Sequence, residues 1–179
     1  IAFTLGLMLR HKGKQVRLDD LDPQNSLTRF KTENDFEDAA DPDFVIKDTA
    51  GRGEFGTLTD ALGNPADLVL IPTNLTVDEI HEANRSKGVA ADKIGLERVA
   101  IIGTRLKGGD VGALQQEMRR TVVAMQCNLF GIWMHRMAFV KIQYQGYDAL
   151  RQDNRARTEA EATAEKILRF AKKFGRRDA

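Results

Sequence analysis

The chain has 179 residues, of which 42% are hydrophobic and 30% charged, with a formal net charge of +1. That length suits one domain with a real core and is short for two, and the near-zero charge points by itself to no class of partner. The one cysteine, Cys127, excludes an internal disulfide; no apolar run approaches the roughly 18 residues of a membrane span, so a cytoplasmic protein is expected.

In chain order, helix and strand patterns alternate, which predicts one α/β domain over 1–179 with a mostly parallel sheet flanked by helices. The chain opens on Ile1 without a methionine or a capping residue, so Ile1 is expected to lie inside a helix whose start is not in this sequence. That helix runs to about Lys12 and closes at Gly13. A strand over 15–21 follows, and then a polar, acidic stretch over 31–42 with one helical turn at 35–39. The next strand, 44–47, leads into the glycine-rich loop 51–56. Residues 66–72 read as a strand that Pro72 ends. Thr76-Val77-Asp78-Glu79 reads as a capping box opening a helix to about Lys87. An apolar strand over 98–104 precedes a helix capped by Asp110, with Leu114, Met118, Val122 and Met125 on one stripe. The last strand is 130–133. A second capping box, Thr158-Glu159-Ala160-Glu161, opens a helix with Ala164, Ile167, Leu168, Ala171 and Phe174 turned inward.

Two of these strands carry the chemistry. Val16-Arg17-Leu18-Asp19-Asp20-Leu21-Asp22-Pro23-Gln24 climbs into acids at i, i+2 before a proline. Phe44-Val45-Ile46-Lys47-Asp48-Thr49-Ala50-Gly51 repeats the plan. Strands ending in aspartate at their C-terminal edge are what a phosphate-and-magnesium site in an open α/β sheet requires. If Asp20 and Asp48 stand level, so do Asp19 and Lys47 one residue earlier, on the opposite face. An Asp19–Lys47 ion pair there would offset the cost of burying either charge; on a wet face both would simply be solvated.

Asp20-Leu21-Asp22-Pro23-Gln24 resembles the Walker A′ motif of ParA/MinD-type partition ATPases, and Asp48-Thr49-Ala50-Gly51 resembles their Walker B. The later run Ala66-Asp67-Leu68-Val69-Leu70-Ile71-Pro72-Thr73 is similar to the strand that follows. Ile101-Ile102-Gly103-Thr104-Arg105 is similar to the strand whose end borders the base. The segment 130–146 resembles the late stretch with an arginine and an aromatic before a glycine turn. The resemblance implies a P-loop NTPase-like fold of the deviant Walker A class, of the small plasmid-partition branch. The first strand and the glycine-rich, lysine-bearing P-loop are absent from 1–179, and 30–43 is shorter than the family's usual segment.

It further implies ATP and Mg²⁺ as cofactors and a homodimer formed on ATP binding. Asp48 and Asp20 would serve the metal, Asp22 and Asp20 catalysis, and Thr104 and Arg105 the base. Asp48 could instead cap the next loop, and Asp22-Pro23 could be a plain turn. Gly51, Gly53 and Gly56 read equally as a γ-phosphate-sensing switch loop or as a surface loop. His11, His81 and His135 show no metal spacing. Between 151 and 179, nine basic residues face five acidic ones. Lys172, Lys173, Arg176 and Arg177 are the candidates for non-specific DNA binding, against a solvated helix face. The implied role is ATP-dependent DNA partition on the nucleoid with a centromere-binding ParB-like partner and no membrane. The alternatives are a non-hydrolysing relative and an ATPase that positions conjugation or division machinery.

Overall fold

The computed structural model describes residues 1–50 and 66–174. The elements in chain order are α1 (Ala2–His11), β1 (Val16–Leu21), α2 (Ser26–Glu33), β2 (Phe44–Thr49) and β3 (Val69–Thr73). There follow α3 (Val77–Ile94), a 3₁₀ turn (Leu96–Arg98), β4 (Val99–Leu106), α4 (Val111–Ala124) and β5 (Asn128–Met134). The chain continues with α5 (Met137–Gln145), α6 (Tyr147–Arg151) and α7 (Asn154–Phe174). They divide between two compact units, one of Ile1–Ala61 with Arg136–Ala164, the other of Leu62–His135 with Glu165–Ala179.

In the first unit β1 and β2 pair in parallel. Helix α1 buries Phe3, Leu5, Met8 and Leu9, and Val16 and Leu18 of β1 are buried with them. Gly6 allows the close approach, since a Cβ there would come within 2.9 Å of Leu18 Cδ2. Gly13, at φ +76°, turns the chain out of the helix.

The helical turn expected at 35–39 is not formed; the helix of this stretch is α2, earlier in sequence. The reason lies on the outer edge of β1, where 38–39 are needed as extended chain. Ala39 N donates to Val16 O at 3.1 Å, Leu18 N donates to Asp38 Oδ1 at 2.9 Å, and Lys31 Nζ donates to Leu18 O at 2.9 Å. Lys31 also pairs with Asp38. Side chains thus satisfy an edge that would otherwise present open backbone groups.

In the second unit β3, β4 and β5 form a parallel sheet in that order. Pro72 does not end its strand. It stands inside β3, level with Ile102, and an edge strand tolerates the missing N–H. Helix α3 runs on to Ile94, and Thr76 makes no side-chain cap bond; its hydroxyl donates to Asn74 Oδ1 at 2.8 Å. Asp110 caps α4 as expected, accepting from Ala113 N at 3.1 Å, and Met118, Val122 and Met125 are buried on its stripe. Helix α7 starts before the expected box. Asp153 Oδ1 accepts from Arg155 N and Ala156 N, each at 3.0 Å, which draws the start back to Asn154. Its buried stripe is Ala156, Ala160, Thr163, Ala164 and Ile167, while Leu168 and Phe174 are half-buried.

Candidate functional site

The register of β1 against β2 sets Asp20 level with Asp48, and Asp19 level with Lys47. The two acid motifs therefore meet at one C-terminal sheet edge, as the strand pattern predicts. The ion pair proposed from the same register does not form. Asp19 Oδ1 accepts from Arg17 Nε at 3.1 Å, with the two side chains 43% and 30% exposed for Arg17 and Asp19, and Lys47 is exposed. Arg17 lies two residues away on the same face of the same strand, so it reaches Asp19 without a cross-strand partner. The face is wet, and neither charge needs burial to be offset.

The three acids differ in how they are held. Asp20 Oδ1 accepts from Asp22 N at 3.2 Å, and its Oδ2 accepts from Thr28 N, in the first turn of α2, at 2.8 Å. Asp22 Oδ1 accepts from Gln24 N at 2.9 Å, closing a small turn over Pro23. Asp48 is half-buried. Burial raises its carboxyl above the usual range, and the carboxylates of Asp20 and Asp22 add to that.

In the second unit Thr104 is buried near the end of β4, and its hydroxyl donates to Thr73 O at 3.3 Å. Arg105 follows, exposed, at φ +53°. There the pairing with β5 shifts register, between Gly103 and Leu106. A non-glycine residue held in the left-handed region inside a strand is a local strain of the kind that gathers at ligand sites.

Of the candidate basic residues, Lys172 and Lys173 are exposed near the end of α7. Arg176 and Arg177 lie outside the described residues, as does the loop with Gly51, Gly53 and Gly56. Lys166 is not available, since its ammonium donates to Leu129 O at 2.7 Å. Burial lowers its pKa, and the nearby charges of Arg119 and Arg169 push the same way.

Three residues of the first unit were not legible as site neighbours. Thr28 matters through its backbone amide, which no side-chain pattern reports. Arg136 forms a largely buried ion pair with Glu159 at 2.7 Å, 18% and 13% exposed respectively. Asn34 donates to Phe30 O and to Gln143 O, each at 2.8 Å, and so ties the end of α2 to α5.

The parallel strands with their flanking helices form an α/β fold, and that fold is shared with solved MinD structures. The chain overlays MinD from the MinC:MinD cell division protein complex of Aquifex aeolicus with a TM-score of 0.72 at 17% identity, over 93% of this chain and 88% of that one. It overlays a second structure, the MinD cell division protein of the same organism, with a TM-score of 0.65 at 18% identity, over 93% and 90% of the two chains. No protein-family profile and no curated protein matches the sequence. Among the described residues no helix is long and apolar enough to cross a membrane.

Proposed function

We propose that residues 1–179 act as one domain and form the body of a ParA/MinD-type ATPase, in which ATP with Mg²⁺ binds at the acid edge of β1 and β2 and pairs two copies. The observation that carries this reading is the level placement of Asp20 and Asp48 on adjacent parallel strands, in a fold that overlays MinD. The residues suit a magnesium nucleotide better than a bare ion. Asp48 is a carboxylate that burial and neighbouring acids make costly to keep charged, and a divalent cation relieves that cost. Among the described residues no group of three or more His, Cys, Asp and Glu forms a metal cage. Magnesium does not need one, because it keeps most of its waters and takes phosphate oxygens. When bound, the magnesium nucleotide supplies the transferable phosphoryl group.

In this reading Asp48 serves the metal, Asp22 orients the attacking water, and Thr104 and Arg105 border the base. This reading requires a P-loop for the phosphate cradle, and residues 1–179 contain no G-x-x-x-x-G-K-[ST] run. Lys172, Lys173, Arg176 and Arg177 hold DNA phosphates without sequence preference, which fits plasmid or chromosome partition with a ParB-like partner. A second reading, positioning of division machinery, is favoured by both structural neighbours being cell division proteins.

Calorimetry and phosphate release test the proposal, on 1–179 and on the chain extended by an upstream strand and P-loop. The extended protein is expected to bind ATP only with magnesium, and 1–179 alone to bind it poorly. Asp22→Ala in the extended protein cuts turnover to a small residual rate and spares binding, because water orientation acts on the chemical step. Tight ATP binding by 1–179 alone would place the phosphate site elsewhere. Replacing Lys172 and Lys173 by glutamate separates the cargo readings. Weaker, less salt-dependent DNA binding supports partition, and unchanged binding at several salt concentrations favours division machinery.

A further inference from the structure

We infer that Asp20 is a positioning residue and not a metal ligand: its carboxylate locks the loop that carries Asp22 onto the start of helix α2. The inference rests on the ATPase reading for its catalytic part and on geometry alone for the lock. Chain reversal after β1 is a tight turn, with Asn25 N donating to Asp22 O at 2.8 Å and Asn25 Nδ2 donating to Pro23 O at 3.1 Å. Asn25 then stands at the N-cap of α2 with φ 52° and makes no side-chain cap bond. The helix therefore needs an acceptor from elsewhere for its first amides. Asp20 provides it from eight residues away, accepting from Thr28 N with Oδ2 while Oδ1 takes Asp22 N. One carboxylate thus fastens both ends of the 22–28 loop, through charge-assisted bonds at a helix N-terminus.

The level neighbour behaves in the opposite way. Asp48 stands half-buried at the end of β2, level with Asp20, and among the described residues no amide or side chain ties its carboxylate to a loop or a helix. A cation at Asp20 would have to share each carboxylate oxygen with an amide that already draws on its negative charge, whereas among the described residues Asp48 has no such amide to share with. The division of labour follows: Asp48 faces the metal, Asp22 faces the reacting water, and Asp20 holds Asp22 where it can do so. Asp20 acts on the reaction only through Asp22.

The test uses the full-length protein carrying its P-loop, with Asp20→Ala, Thr28→Pro, Asp22→Ala and Asp48→Ala variants. Proline is tolerated in a first helical turn, so Thr28→Pro removes the donor and leaves Asp20 intact. It carries the test if Asp20→Ala does not fold. Without nucleotide, amide exchange across 22–30 should quicken about five- to tenfold in Asp20→Ala, as expected for a lost cap, and stay within about twofold in Asp48→Ala. With ADP bound, half-saturation by Mn²⁺ should shift less than about threefold in Asp20→Ala and at least about tenfold in Asp48→Ala. Both Asp20→Ala and Thr28→Pro should lower kcat with KM for ATP unchanged. Adding Asp20→Ala to Asp22→Ala should slow turnover no further. Unchanged amide exchange in Asp20→Ala overturns the lock. Metal binding weakened in Asp20→Ala as much as in Asp48→Ala makes Asp20 a ligand, and multiplicative losses in the double variant remove its action through Asp22. A wild-type protein that binds no nucleotide sinks the ATPase reading, and the exchange measurement still decides the lock.

Discussion

The two units use the same device, parallel strands backed by helices, and treat their strands in opposite ways. In β4 the run Val99, Ala100, Ile101 and Ile102 is 0% exposed throughout. In the first sheet only Val16 at 0% and Leu18 at 1% are buried, while Leu21 is 40% and Val45 42% exposed, and Arg17, Asp19 and Lys47 occupy the remaining face. A stretch buried on both sides favours apolar side chains, so 99–102 contributes stability and little chemistry, and the polar Thr104 and Arg105 come only toward the end of β4. A half-wet pair can carry acids at its edge, because water and backbone amides share the cost of their charge. The contrast teaches that stability and the candidate chemistry are concentrated in different sheets.

The largest effect expected from this contrast is in the core of the second unit. Ile102→Ala in β4 should cost about 3–4 kcal/mol, since it removes a fully buried side chain and leaves a cavity. The same truncation at Ile46 in β2, which is half-buried, should cost about half as much or less. Urea denaturation of the two variants, read as midpoint shifts at constant slope, compares them directly. Equal losses would mean that the first sheet is as much a core as the second.

A smaller effect, of opposite sign, is expected at the acid edge. Burial, reinforced by Asp20 and Asp22, raises the folded-state pKa of Asp48. Below the unfolded pKa, near 3.9, both states hold the proton and Asp48 carries no penalty. As pH rises from there through the raised folded value, the unfolded state releases its proton more readily. The carboxylate then weighs against folding, fully so above the folded pKa. Asp48→Asn should therefore raise Tm at pH 7 by about 2–5 °C, and the gain should shrink toward zero near pH 3. A lower Tm at pH 7 would show a favourable partner for the charged form and would count against a cation-seeking carboxylate. Asp38, on the outer edge of β1, runs the other way. Burial raises its pKa, but the bonds from Lys31 and from Leu18 N outweigh that and hold the net value low. Its contribution is present above the ordinary aspartate range and is lost as pH falls through the lowered value.

How much was legible follows the same division. The strands 98–104 and 130–133 and the helix behind Asp110 were readable because burial on both faces or on one stripe leaves a clean pattern. The meeting of Asp20 with Asp48 was readable too, because two strands of equal length ending in acids have one sensible register. The rest depended on contacts that patterns do not report. Thr158-Glu159-Ala160-Glu161 has the spacing of a box, yet Asp153 caps first. The stretch 35–39 has helical composition, but the open edge of β1 needs Ala39 N and the Asp38 carboxylate in extended chain. The role of Thr28 rests on its amide, which every residue but proline offers. Charge pairing failed at Asp19 because the register named a partner across the strands while a longer, nearer side chain stood along its own.

That failure gives the finest test of the wet-face picture, and the smallest expected number. Two double-mutant cycles share Asp19→Leu. One pairs it with Arg17→Met and the other with Lys47→Met. The Arg17–Asp19 bond is part-exposed, at 3.1 Å from Nε and 3.5 Å from Nη2, so its coupling should be about 0.5 kcal/mol, as for solvent-screened pairs. The Asp19–Lys47 cycle should close to within about 0.2 kcal/mol, because level Cα positions bring no contact when one side chain is exposed and the other is already bonded. Both couplings should fade at 1 M salt, where screening acts within roughly 3 Å. A Lys47 coupling equal to that of Arg17 would mean that the face closes over these charges. The first sheet would then be more like the second than its exposure indicates.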